Sequence, residues 1–247
     1  MKHKIPVLTA LLLILLTLTG CAAAEQPAAS TAEPPTEQVT EAPQSTGEAP
    51  AEQVTEAPQS GAEAPETEET AQPKGLVVYF SRTGEQYGVG VIDKGNTAIV
   101  AEMIAEQTGA DLFEILPAED TYPTTYDELT DVAKREQNEN ARPAIGGELP
   151  DLTQYDTVFI GAPVWWGDWP MILYTFFEEN EAALAGKTLI PFCTHAGSGL
   201  SGFDYKLAEA CPHSTVGTGL AVTGKDAQNH PDRVREDVTD WLNELGY

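Results

Sequence analysis

Basic residues are scarce: 13 Lys and Arg stand against 39 Asp and Glu in 247 residues, a formal charge of −26. That imbalance excludes nucleic acid as a partner, and it excludes docking on anionic lipid through charge, because both need clustered cations. A basic protein partner remains compatible with it. A long hydrophobic run is also lacking. The stretch from Ile5 to Leu18 is almost wholly apolar, but a membrane-spanning helix needs roughly 20 such residues. Between Ala22 and Pro73 there is no aromatic and no basic residue. That segment has too little apolar surface to offset the entropy of ordering it.

What is present at the amino terminus reads as a targeting segment, set aside before any fold reasoning. Lys2 and Lys4 precede the apolar run, and Leu18-Thr19-Gly20-Cys21 follows it. This resembles the lipobox of bacterial lipoproteins. The resemblance implies a signal peptide over residues 1–20, cleavage before Cys21, and lipidation of Cys21. Several acyl chains at about 0.8 kcal/mol per buried methylene make a stable membrane anchor. The chain is thereby expected outside the cytoplasm, lipid-anchored to a bacterial membrane. An ordinary secretory signal with a chance cysteine is the plainer alternative. Residues 21–74 are then a disordered tether rich in Pro, Glu and Thr. EQVTEAPQS occurs twice in it, from Glu37 and from Glu52. Its proline and its like charges favour extension.

Residues 75–247 have the size of one domain. Leu76–Phe80, Val158–Ile160 and Leu189–Phe192 are short continuous apolar runs, and Leu112–Leu116 is nearly one. Such runs suit strands covered on both faces. Helical patterns separate them. Ile99, Val100, Met103 and Ile104 share a face that Gly109 ends. Pro170 opens a helix carrying Met171, Leu173, Tyr174 and Phe177. Val234, Val238, Trp241, Leu242 and Leu245 form a last amphipathic helix. Strands alternating with helices predict an α/β fold with a doubly wound parallel sheet, whose ligands bind beyond the carboxyl ends of the strands.

Three loops fall at that edge. Ser81-Arg82-Thr83-Gly84 follows the first strand, and Gly95-Asn96-Thr97 opens the next helix. Hydroxyls and free N–H groups at a helix start suit a phosphate, although simple capping is an alternative. Pro163-Val164-Trp165-Trp166-Gly167-Asp168-Trp169 follows the third strand. Exposed aromatic faces there suit a flat ligand, and one or two of them could instead cover the core edge. Thr194-His195-Ala196-Gly197-Ser198-Gly199 follows the fourth. Its glycines would let N–H groups approach ring carbonyls.

With YFSRTG, GNT, GAPVWWGDWP and PFCTHAGSG in hand, the chain from Gly75 onward resembles the flavodoxin-like family, in its bacterial branch of domains found on lipoproteins. The resemblance implies five parallel strands in the order 2-1-3-4-5, helices on both faces, and FMN as cofactor. It implies phosphate contacts from Ser81, Arg82, Thr83, Asn96 and Thr97. It implies ring contacts from Pro163, Val164, Trp165, Trp166, Gly167, Thr194, His195, Gly197, Ser198 and Gly199. If that fold holds, Cys193 and Cys211 sit at opposite ends of the sheet as two buried thiols. One departure is the insertion of Glu85 to Lys94 into a phosphate loop that is otherwise contiguous. Either Thr83-Gly84 or Gly95 could fill the middle of that loop, and Tyr87 of the insert could reach the ring.

Three function classes follow. The first is an electron carrier serving a redox partner protein or small acceptor. The second is an FMN-dependent NAD(P)H or quinone oxidoreductase, in which His195 could act as acid or base. The third is a flavin-free binding module. One small domain and an acidic surface favour the carrier. Asp168, beside the tryptophans, is expected to disfavour a second electron on the ring. For the anchor, Cys21→Ala should move the protein from the membrane pellet to the soluble fraction, because the tether has no basic patch to hold it. Continued sedimentation with membranes would rule out lipid on Cys21 as the anchor.

Overall fold

The computed structural model describes residues 74–247; the signal segment, Cys21 and nearly all of the tether lie outside the described residues. In chain order come β1 (Gly75–Tyr79), a hairpin of β2 (Gly84–Gln86) and β3 (Gly90–Ile92), α1 (Asn96–Thr108), β4 (Asp111–Glu114) and β5 (Leu116–Pro117). Then follow α2 (Tyr126–Glu139), β6 (Ile145–Gly146), β7 (Thr157–Pro163), α3 (Met171–Leu184), β8 (Thr188–His195) and α4 (Phe203–Ala210). The last elements are β9 (Thr215–Val216), β10 (Leu220–Thr223), α5 (Gly224–Asn229) and α6 (Pro231–Leu245).

The main sheet runs β4-β1-β7-β8-β10, all parallel, with β9 also on β8. This is the expected order 2-1-3-4-5, with the fifth line in two pieces. β9 pairs with Thr188 and Leu189, and β10 with Phe192 to His195. The break falls opposite Ile190 and Pro191. Proline offers no N–H to a neighbouring strand, so a continuous ladder cannot pass it.

Alternate residues of each central strand enter opposite cores, as a period of two requires. Leu76, Val78 and Phe80 face a core with Ile172, Phe176 and Phe203; Val77 and Tyr79 face one with Val100, Ile104, Val238 and Trp241. This two-sided burial is why β1, β7 and β8 read as unbroken apolar runs. β4 differs: it is an edge strand, and Leu112 is 45% exposed. Its run was only nearly apolar, with Asp111 and Glu114 at its ends, and it is not covered on both faces.

Helix ends follow local chemistry. Gly109 ends α1 with φ 70°, and its N–H donates to the Ala105 carbonyl at 2.9 Å. A left-handed residue at this point is cheap only without a Cβ. Pro170 immediately precedes α3, and Pro231 opens α6 where its missing N–H is not needed. Cys193 and Cys211 are both buried and unpaired. Burial pushes their thiols up, to about 12 and about 11, which leaves them unreactive. Among the described residues no helix is long and apolar enough to cross a membrane.

At the sheet centre, Gly161 of β7 lies beside Phe192 of β8, and a Cβ on Gly161 would come within 2.0 Å of the Phe192 ring. Gly161→Ala should therefore force that ring out of place and cost about 1–3 kcal/mol. Urea denaturation should show a lower midpoint at unchanged slope. An unchanged midpoint would contradict this packing.

Candidate functional site

A cleft of about 350 Å³ opens at the carboxyl edge of the sheet. That lies at the small end of the range for ligand sites. One end of the cleft is polar. Asn96 and Thr194 line it, whereas Ser81, Arg82, Thr83 and Thr97 do not line the cleft. The Ala98 N–H, in the first turn of α1, donates to the Ser81 hydroxyl at 3.1 Å. Gly95 sits against the same hydroxyl: a Cβ would lie 2.1 Å from Ser81 Oγ and 2.8 Å from the Arg82 carbonyl. The β2–β3 hairpin is thus looped out, and Gly95-Asn96-Thr97 closes directly onto Ser81-Arg82. Gly84 belongs to the hairpin instead. It has φ 87° and packs on Thr124, whose carbonyl accepts the Glu85 N–H at 2.7 Å. Of the two fillers open in the sequence, the geometry selects Gly95. The first N–H groups of α1 have no intrahelical acceptor, and they carry the positive end of its dipole.

Other side chains of this group are already engaged. Asn96 accepts a hydrogen bond from Gln228 at 2.9 Å. The Thr97 and Thr194 hydroxyls pair at 2.8 Å, joining the start of α1 to the end of β8. The Arg82 guanidinium is held elsewhere, by Asp120 at 2.7 Å, the Tyr122 carbonyl at 3.1 Å and the face of the Tyr122 ring. Only its main chain lies beside Gly95.

The three tryptophans divide. Trp165 lines the cleft, edge-on to Phe80 and Tyr122 at 5.4 Å each. Trp166 forms the rim, 54% exposed, with φ 51°. Its indole N–H donates to the Thr130 carbonyl at 2.9 Å, and Lys134 lies 5.0 Å from its ring centre. Trp169 is a core residue, stacked on Phe203 at 3.7 Å. Pro163 and Val164 line the cleft; Gly167 does not. Asp168 is neutralised: it accepts from Tyr174 at 3.0 Å and pairs with Lys206 at 3.1 Å. Its carboxylate is not a free charge facing the cleft, so the expected effect on a second electron has no support here.

The third loop turns inward. Thr194, His195 and Ala196 line the cleft, whereas Gly197, Ser198 and Gly199 do not. The N–H groups of Gly197 and Gly199 both donate to His195 Nδ1, at 2.9 and 3.2 Å. Burial holds the imidazole below its ordinary titration range, opposed by the charge of Asp226.

One wall, apart from Tyr87, was not read from the sequence. Tyr126, Leu129, Thr130 and Ala133 of α2 line the cleft, with Gln86 and Tyr87 of the hairpin. Glu85 accepts the Tyr126 N–H at 2.9 Å, and the Tyr87 ring lies 5.6 Å from that of Tyr126. So the hairpin is docked on the first turn of α2. Leu129 and Ala133 are its buried residues, and with Tyr126 and Val132 they fall on one face of the helix. The signal available was Thr125-x-x-Glu128, the spacing of a helix-start box; those side chains bond at 2.6 Å.

The sequence model of a family described as Flavodoxin matches residues 74–245. No curated protein matches. Among solved structures, a candidate flavoprotein from Bacteroides uniformis ATCC 8492 is 32% identical, with TM-score 0.55, over 69% of this chain and 98% of that one. One from Bacteroides eggerthii DSM 20697 is 29% identical, with TM-score 0.56, over 71% and 99%. A flavoprotein from Lactobacillus acidophilus NCFM, solved in complex with FMN, is 22% identical, with TM-score 0.52, over 69% and 99%.

Trp166 ties the middle of α2 to the tryptophan loop. Trp166→Ala should raise amide hydrogen exchange across Leu129–Ala133 while leaving β7 and β8 protected. Equal protection of α2 in both proteins would show that the rim does not hold it.

Proposed function

Because the chain belongs to the flavodoxin family, we propose that it binds FMN in this cleft and carries electrons, held outside the cytoplasm by lipid on Cys21. The observation that carries this reading is the closure of Gly95 onto Ser81. It sets Asn96 at the α1 N-terminus, together with the Thr194 hydroxyl, in the lining of a cleft that is otherwise largely apolar and aromatic. A ligand with an anionic tail and a flat, mostly apolar head matches that distribution. Ser81 suits the phosphate: its oxygen already accepts from Ala98, so its own proton is free to donate. The main chain at Arg82, Asn96 and Thr97 would add N–H groups. Trp165, Tyr87 and Tyr126 offer flat faces to a ring. Bound FMN would supply the redox chemistry, and the protein its binding, orientation and electrostatics. The FMN complex of the Lactobacillus protein agrees with this choice of ligand.

Two observations favour carrier over reductase. Residues 74–247 hold 28 Asp and Glu against 11 Lys and Arg, a surface suited to a basic redox partner. His195, the best candidate for acid–base work, has its Nδ1 occupied by two backbone donors. The extracytoplasmic, membrane-anchored placement rests on the amino-terminal signal and Cys21.

Reductive titration of the FMN-loaded chain tests the assignment. A carrier should take up its two electrons in separate one-electron steps and should not oxidise NADH or NADPH in steady state. A single two-electron step with nicotinamide turnover would make it a reductase. A chain that stays colourless with excess FMN would make it a flavin-free binding module.

A further inference from the structure

The THAGSG loop is built around one nitrogen. His195 Nδ1 accepts the Gly197 N–H at 2.9 Å and the Gly199 N–H at 3.2 Å. Both glycines have positive φ, 127° and 63°, so the backbone turns both donors toward the ring only because neither carries a side chain. Nδ1 of a neutral imidazole has one lone pair and no proton when it accepts in this way. The proton of a neutral His195 therefore sits on Nε2. Cys193 Sγ donates to the Gly199 carbonyl at 3.5 Å, tying the far side of the same turn to β8. The imidazole lines the cleft, as do its neighbours Thr194 and Ala196.

We infer that His195 is a positioning residue: a neutral imidazole whose Nδ1 clasps the 196–199 loop shut and whose Nε2–H is the fixed donor it can offer a ligand. It is no proton shuttle, because protonating Nδ1 removes the lone pair that both glycine N–H groups share. The same geometry makes the loop acid-labile. A proton on Nδ1 sets an N–H against two N–H donors, and the turn must open to relieve that. The charged group set against His195 is Asp226 of α5, which favours the protonated ring. Asp226 is restrained by Arg233 at 2.8 Å and by the Thr223 hydroxyl at 2.6 Å, and His230 lies close enough to act on it. Burial outweighs it and keeps the ring neutral. For the sign, the folded chain binds this proton less readily than the unfolded chain, whose imidazole titrates near 6.5. Stability contributed by the clasp is complete above that pH and is lost progressively as pH falls from it through the lower value of the folded chain.

The clasp does not depend on the ligand; its use toward FMN rests on the function proposed above. Two variants separate the roles. In His195→Asn, Oδ1 stands where Nδ1 did and can accept both glycine N–H groups, but it neither titrates nor reaches as far as Nε2. In His195→Gln, the side-chain amide reaches the Nε2 position and the clasp is lost. Nitrogen NMR of the flavin-free chain at pH 7.5 should show Nδ1 bare, Nε2 protonated, and the Gly197 and Gly199 amides protected from exchange. Lowering the pH below 6.5 until the ring nitrogens report uptake of the His195 proton should remove that protection in the wild type, and the same pH should leave it in His195→Asn. FMN affinity should follow, falling by at most about tenfold per pH unit because one proton is linked. His195→Asn should show only the smaller dependence due to the phosphate itself, and His195→Gln should bind weakly at both pH values. A proton on Nδ1 at pH 7.5, unprotected glycine amides, or the same acid response in His195→Asn would overturn the inference. A chain with the expected amide behaviour and no FMN binding would uphold the clasp and reject the cofactor.

Discussion

An alanine at position 95 would place its Cβ 2.1 Å from the Ser81 hydroxyl oxygen, closer than any relaxation of a well-packed turn allows. Glycine there lets the start of α1 press onto the end of β1, and most of the site depends on that contact. It puts the Ala98 N–H on Ser81, sets Asn96 in the lining of the cleft, and brings Thr97 within reach of Thr194. It also decides what the insertion does. With the loop closed behind it, Glu85 to Ile92 has no place in the cradle and folds outward as a hairpin over the cleft.

The site is consequently made of parts with unequal stability. Its floor is the carboxyl edge of β1, β7 and β8, central strands with cores on both faces. Its outer wall is α2 and the hairpin, joined to each other by Glu85 and Tyr87 and to the tryptophan loop by Trp166. Trp166 holds a left-handed conformation, which costs a non-glycine residue roughly 1–2 kcal/mol. The bond to Thr130 and the contact with Lys134 help offset that strain. A rigid floor fixes where a ligand sits, while a loosely held wall can admit it.

The fold was legible because sheet position writes itself into composition. Strands covered on both faces must be apolar throughout, and Leu76–Phe80, Val158–Ile160 and Leu189–Phe192 are. The same rule was stretched at Leu112, whose run is broken by Glu114 and preceded by Asp111, the local mark of an edge strand. Helix α2 escaped notice because its stripe is narrow, Tyr126, Leu129, Val132 and Ala133 among ten polar or charged residues. Within the site, residue types could be read but directions could not. Arg82 follows Ser81 in the chain, yet its guanidinium leaves for Asp120. Gly197 and Gly199 supply N–H groups as expected, but these turn to His195 rather than to the cleft. Asp168 carries a charge that Lys206 cancels. In each case the deciding partner lies far away in sequence, or on the other side of a turn, and spacing alone cannot show it.

The central claim is that the polar end of the cleft, closed by Gly95, holds the phosphate of a flavin mononucleotide. Riboflavin shares the ring and lacks the phosphate, so the two dissociation constants isolate that end. One charged group bonded by two or more donors contributes about 3 kcal/mol or more, over a hundredfold in affinity. The account predicts FMN binding tighter than riboflavin by at least about that factor, measured by quenching of flavin fluorescence at pH 7.5. Equal affinities would contradict it.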